Sequence, residues 1–257
     1  MSDRLDIVAT VGEAYKGAWG HLGEMIRLIW LPVILYLAIS LIGMFVNPGE
    51  QLALALLLNL ATLFLWPVIA VAWHRFILIG DAPPGRFHFS FGRREARFLM
   101  ISVFLILLLV PGGLLMEGGV TLAERQPQSM TGSLLSFFGL LILFVSIYFS
   151  IRLSLLLPAV SVDDPVNPRL ILERTRGNFW RLVAVIILVA LPVLIIALLL
   201  GALFSGGPVL AVAAAVALAF ISIFFAVVNV AVLSVAYREL VGPPGTQPLD
   251  RDDADLN

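Results

Sequence analysis

Apolar residues in this chain gather into long blocks rather than alternating, and clusters of arginine separate the blocks. Six blocks predict membrane spans at 28–46, 52–79, 98–116, 133–157, 182–205 and 208–237, the second and fourth running on through Arg75 and Arg152. Each is near or above the roughly 20 residues that cross a hydrocarbon core of about 30 Å. The last two come from one uncharged block, divided at Gly206, Gly207 and Pro208 where a tight hairpin is expected. Backbone groups in lipid must be satisfied within their own segment, so the spans are read as helices. The fold class is therefore all-α, a polytopic membrane protein of six transmembrane helices. Pro32, Pro67, Pro111 and Pro192 fall inside the spans as expected kinks.

Two further helices are predicted outside the spans. Val8, Val11, Tyr15, Trp19, Leu22 and Ile26 recur at three- and four-residue steps, the mark of an N-terminal amphipathic helix resting in the headgroup region. Between spans four and five, Asn167 can cap a short helix with Pro168 in its first turn and Gly177 as its stop. There Leu170, Ile171 and Thr175 are expected to face the membrane, with Arg169 and Glu173 paired on the outer side. Residues 1–241 form a single membrane domain. The proline-rich acidic remainder, 242–257, is expected to be disordered.

Composition supports the membrane reading. The chain is 60% hydrophobic and only 13% charged, against about 25% charged in ordinary soluble domains, and its mean hydropathy is +1.03. The net charge of −1 gives no sign of a nucleic-acid partner, and with no cysteines there is no disulfide framework. The N-terminus is acidic and lacks the apolar core of a cleavable signal, so the first span is expected to do the targeting. Charge also sets orientation. Of the 16 lysines and arginines, all but Arg125 lie at the ends or in the even-numbered connections. Both termini are therefore expected in the cytoplasm.

A repeat is suggested by spacing. Arg27, Arg97 and Arg181 precede the odd spans, whose prolines Pro32, Pro111 and Pro192 stand 79 and 81 residues apart. The even spans close on Arg75, Arg152 and Arg238, spaced by 77 and 86. The pattern reads as three helical hairpins.

The stretch from Arg152 through LSLLLPAV to ERTRGNFWRLV is the most distinctive. Together with six spans it resembles the membrane-domain family that accompanies some bacterial glycerophosphoryl diester phosphodiesterases, and the related YciC-like inner-membrane proteins. Ile171 and Leu172 stand where that pattern often has Ser-Trp. The resemblance implies a bacterial inner-membrane protein linked to envelope lipid homeostasis. It implies no phosphodiesterase activity, which belongs to a separate soluble domain.

Motifs for catalysis are missing. The three histidines, His21, His74 and His88, form no metal pattern, and the sequence holds no HExxH, phosphate loop or GxSxG. Asp163–Asp164, just before Pro165, reads as a turn cap ahead of an acid/base pair. No enzyme activity and no cofactor are expected. No span carries a buried carboxylate, which argues against a proton- or sodium-coupled transporter.

The candidate site is therefore cationic. Phe87, Phe89 and Phe91 alternate beside Arg93, Arg94 and Arg97, either as an interfacial belt or as a pocket for anionic headgroups. Arg152 lies near the end of its span, and an arginine at mid-membrane costs about 2.5–3.5 kcal/mol. Snorkelling to the interface is the simpler account. The sharper one places Arg75, Arg152, Arg238, Tyr148 and Arg181 around one cytoplasmic vestibule for lipid headgroups. Asn59, Thr62, Ser222 and Asn229 are expected to tie helices together. Two functions follow: a non-catalytic protein that binds or organises membrane lipids or a membrane partner, including a second copy of itself, or a transporter or flippase for an amphiphile.

Overall fold

The computed structural model describes residues 4–81, 91–126, 130–201 and 207–246. Among them no strand occurs. The elements are α1 (Ile7–Gly20), α2 (Leu22–Gly43), α3 (Leu52–Ile79), α4 (Arg93–Arg125), α5 (Met130–Leu153), α6 (Leu156–Ser161), α7 (Pro168–Arg174), α8 (Phe179–Gly201) and α9 (Pro208–Leu240). Five units are long and apolar enough to cross a membrane: α3, α4, α5 with α6, α8 and most of α9. Counting the bent α2 makes six. The chain is an all-α polytopic membrane protein with five to six spanning helices.

Of the four interior prolines, one stands beside a sharp bend. Helix α2 turns by 71° between its Leu22–Leu28 and Trp30–Gly43 parts. The ring of Pro32 clashes with the carbonyl four residues back, that of Leu28, which is where the bend falls. Helices α3, α4 and α8 run on through Pro67, Pro111 and Pro192. The connection expected over Glu117–Thr131 is instead mostly helix, because α4 continues to Arg125 and α5 begins at Met130.

Consecutive long helices pack as neighbours in three pairs, α2 with α3, α4 with α5, and α8 with α9. The α4–α5 pair is the most intimate. A Cβ on Gly112 would lie 2.6 Å from the Leu143 amide nitrogen, and one on Gly132 would lie 2.7 Å from that of Ala123. Cβ atoms on Gly119 and Gly139 would overlap the backbones of Ser136 and Met116. Ser150 Oγ also donates to the Leu105 carbonyl at 3.3 Å. In every one of these pairs the two residue numbers sum to 255, so a single antiparallel register runs along the seam. Small residues at four- and three-residue steps let two backbones approach where lipid offers no hydrophobic drive.

The buried core lies elsewhere and is polarised. It takes Ile69–Val71 and Trp73 from α3, Leu182, Val185 and Val189 from α8, and Val227–Val228 and Tyr237 from α9. Helix α6 contributes Leu156, Ala159 and Val160. These are the halves of α3, α8 and α9 nearest the arginines. His74 Nδ1 lies 2.7 Å from Ser234 Oγ, joining α3 to α9 inside this core. The opposite halves expose large side chains such as Leu57, Leu198 and Val209, as helices facing lipid do.

Helix α1 differs from the expectation of a helix lying flat on its apolar stripe. Its Asp6 cap accepts from the Ala9 amide at 3.0 Å. Its buried face is the small-residue one, Thr10, Ala14 and Ala18, which packs on the bundle, chiefly on α9 and α8. Val8 and Trp19 of the predicted stripe are exposed, while Tyr15 meets Phe225 and Trp19 meets Phe224 edge-on at 6.2 and 5.8 Å. Close helix packing selects small side chains, and a count of large apolar residues does not find them.

Candidate functional site

The arginine-rich face is held together by side chains that cross between elements. Arg152, at the end of α5, is only 7% exposed. Its Nε donates to Thr175 Oγ1 at 3.0 Å, its Nη1 to Tyr148 Oη at 2.7 Å, and its Nη2 to the Leu172 carbonyl. The Thr175 hydroxyl donates onward to the Ile171 carbonyl at 2.7 Å. The guanidinium thus satisfies groups at the C-terminal end of α7, where carbonyls lack helical partners and cations are favoured. It does not snorkel: it turns inward onto acceptors at the end of α7.

Helix α7 forms as the sequence indicates, with the Leu170 amide donating to Asn167 Oδ1 at 3.0 Å and Gly177 at φ 78° after it. Its inner face, Ile171 and Thr175, is buried in protein rather than turned to lipid. Arg169 and Glu173 are both exposed and form no ion pair among the described residues.

Arg75 carries a second cluster. Its Nε and Nη2 donate to Asp81 Oδ2 at 2.8 and 2.6 Å, and its Nη1 donates to the Ser161 carbonyl at 3.2 Å. Asp163 lies 3.6 Å from Arg75 and 2.6 Å from Arg94, so it bridges α3 and α4. Asp163 adopts a left-handed conformation, φ 60°, which aspartate tolerates better than most residues. Its neighbour Asp164 is buried and accepts from Tyr237 Oη at 2.7 Å and from the Gly245 amide at 2.8 Å. Neither aspartate caps a helix, correcting the turn-cap reading. The same contact fixes the start of the segment expected to be disordered; its remainder lies outside the described residues.

The N-terminal segment has its own clasp. The Leu5 amide donates to Asn178 Oδ1 at 3.0 Å, and Arg181 Nη1 donates to the Leu5 carbonyl at 2.7 Å. Sequence reasoning missed Asn178 and misread Thr175 and Asp164. For Asn178 and Thr175 the signal was present in ERTRGNFWR, where polar residues stand so close to a span that some must turn inward.

Arg238 Nη2 pairs with Glu13 Oε1 at 2.5 Å, linking α9 to α1. Beside this pair lies a groove of about 510 Å³ between α1, α3 and α9. Lys16, Gly17 and His21 form one wall, and Phe76, Ile77, Ala231 and Val235 supply apolar surface. The His21 ring lies 5.3 Å from that of Phe76, edge-on. Tyr15 faces the bundle near the Val189 carbonyl, and burial raises its phenol above its ordinary pKa.

The structure brings Tyr148 to Arg152 and Arg94 to Arg75, while Arg75, Arg152 and Arg238 share no partner among the described residues. Arg93 and Arg97 are exposed on α4. Phe91 packs edge-on against Phe64 at 5.4 Å; Phe87, Phe89 and His88 lie outside the described residues. Asn59 and Thr62 bond carbonyls of their own helix, those of Ala55 and Asn59, rather than tying helices together. No group of three metal-ligating side chains occurs among the described residues. Compared with family models, curated proteins and solved structures, the chain matches none.

Proposed function

We propose that this is a non-catalytic integral protein of the bacterial inner membrane that binds or organises lipids through anionic headgroups. In this reading the arginine-rich face and both termini are cytoplasmic. We also propose membership of the family that its residues 152–181 resemble. The observation that carries the reading is how the cations divide. Arg75, Arg94, Arg152, Arg181 and Arg238 bond to the protein itself. Lys16, Arg27, Arg93 and Arg97 are exposed, with no ion-pair partner among the described residues. Cations left free beside spanning helices meet the headgroup layer, where each contributes about 1 kcal/mol of attraction to an anionic surface.

Thermal unfolding in detergent with added lipid tests this. Phosphatidylglycerol is expected to raise the Tm more than phosphatidylcholine, with the difference shrinking as salt rises. Equal shifts with both lipids would rule the reading out.

A further inference from the structure

We propose that the groove between α1, α3 and α9 binds the phosphate of one anionic phospholipid. This rests on the lipid-binding reading and names its site. The groove is amphipathic in the way such a ligand requires. Its polar wall carries Lys16, which has no ion-pair partner among the described residues, and Arg238, whose bond to Glu13 uses a single guanidinium nitrogen. Glu13 pairs with Arg238, Glu239 stands close enough to act on both, and His21 lies 3.7 Å from Glu24 outside the groove, so Lys16 is the groove cation without an ion-pair partner among the described residues. A phosphate there accepts charge-assisted bonds from both cations.

The rest of the lining explains why the occupant is a lipid rather than a free ion. Ile77, Ala231 and Val235 give the groove an apolar wall that a soluble phosphate leaves unused and an acyl-glycerol unit covers. Its volume falls within the roughly 300–1,000 Å³ of small-molecule sites. Two glycines line it. A Cβ on Gly17 would meet nothing within 4 Å, so a larger side chain there has room to enter the groove. Gly80, at φ 65°, ends α3, and the Asp81 that follows turns back to Arg75. Trp19, two residues beyond Gly17, is 69% exposed and marks a boundary with lipid.

Native mass spectrometry and thermal shift with phosphatidylglycerol test the assignment on the full chain. Lys16→Gln is expected to weaken retention about tenfold, as the loss of one charge-assisted phosphate contact does. Gly17→Leu fills the groove without touching a charge and is expected to abolish the lipid-induced shift while leaving the lipid-free Tm unchanged or higher. Glu13→Gln frees Arg238 and is expected to tighten retention, the opposite of what damage to the fold produces. Wild-type-like retention in both Lys16→Gln and Gly17→Leu overturns the groove. So does a loss confined to Arg93→Gln and Arg97→Gln, which leaves the broader lipid reading standing. A wild-type protein with no preference for phosphatidylglycerol sinks that broader reading as well. An equal shift from soluble glycerol 3-phosphate at matched phosphate concentration overturns the choice of a lipid.

Discussion

Arg152 shows how one residue can be located by its sequence and still be misread. Its position near the end of a span followed from counting, and Tyr148 was placed beside it one turn away, where the structure makes the two bond. That it faces inward did not follow, because its acceptors are Thr175 and the Leu172 carbonyl, some 20 residues away on an element too short to weigh in a hydropathy scan. The same holds for Asn178 and Asp164, whose partners Leu5 and Gly245 are far along the chain. Replacing Arg152 with leucine removes the donor to a part-buried carbonyl, a loss of about 1.5–3 kcal/mol for bonds to a charged group. Lysine should restore only part of this, since a point charge cannot fork between Thr175 and Leu172. A Tm unchanged in Arg152→Leu would show that the contact contributes nothing to the fold.

At the scale of elements, apolar block length was enough to find every long helix, since hydropathy is a local property. Helix ends were less legible: α4 overran its predicted span by nine residues towards Arg125, because a helix leaving lipid needs no change of sequence to continue in water. The α4–α5 seam could have been seen in the seven-residue spacing of Gly112 with Gly119 and of Gly132 with Gly139. Adjacent glycines on α4 provide an internal control. Gly119→Leu must displace the α5 backbone, and should cost at least the roughly 1–3 kcal/mol typical of overpacking. Gly113 and Gly118 face open space, so alanine at either should be neutral or stabilise by about 0.5–1 kcal/mol through helix propensity. Urea or thermal unfolding of the three variants in detergent checks the contrast, and equal effects would place the seam elsewhere.

The whole molecule places its hydrophobic core at one end. The core and the interlocking arginines and aspartates share the arginine-rich face, while the far halves of α3, α8 and α9 are lipid-facing. Charge counting identified that face but not its purpose, since a charge that sets orientation and a charge that holds helices together look alike in a sequence. Orientation remains directly testable. Reporters joined after Asn47 should read outside and those after Asn257 inside, as the distribution of 15 of 16 basic residues predicts. The reverse result would turn the face, and the proposed lipid site with it, to the other leaflet.

The clasp on Leu5 also sets a schedule. Its two partners lie 173 and 176 residues downstream. At about 5–20 residues per second, the ribosome needs roughly 10–35 s to deliver them after Leu5 itself has been made. Through that interval the clasp that fixes α1 in place cannot close, and the groove wall that α1 supplies is unfinished. Gly245 comes later still, so the bond it makes to Asp164 closes after the clasp on Leu5. A chain stalled before residue 178 thus carries an unfastened α1 that a protease at that surface could recognise.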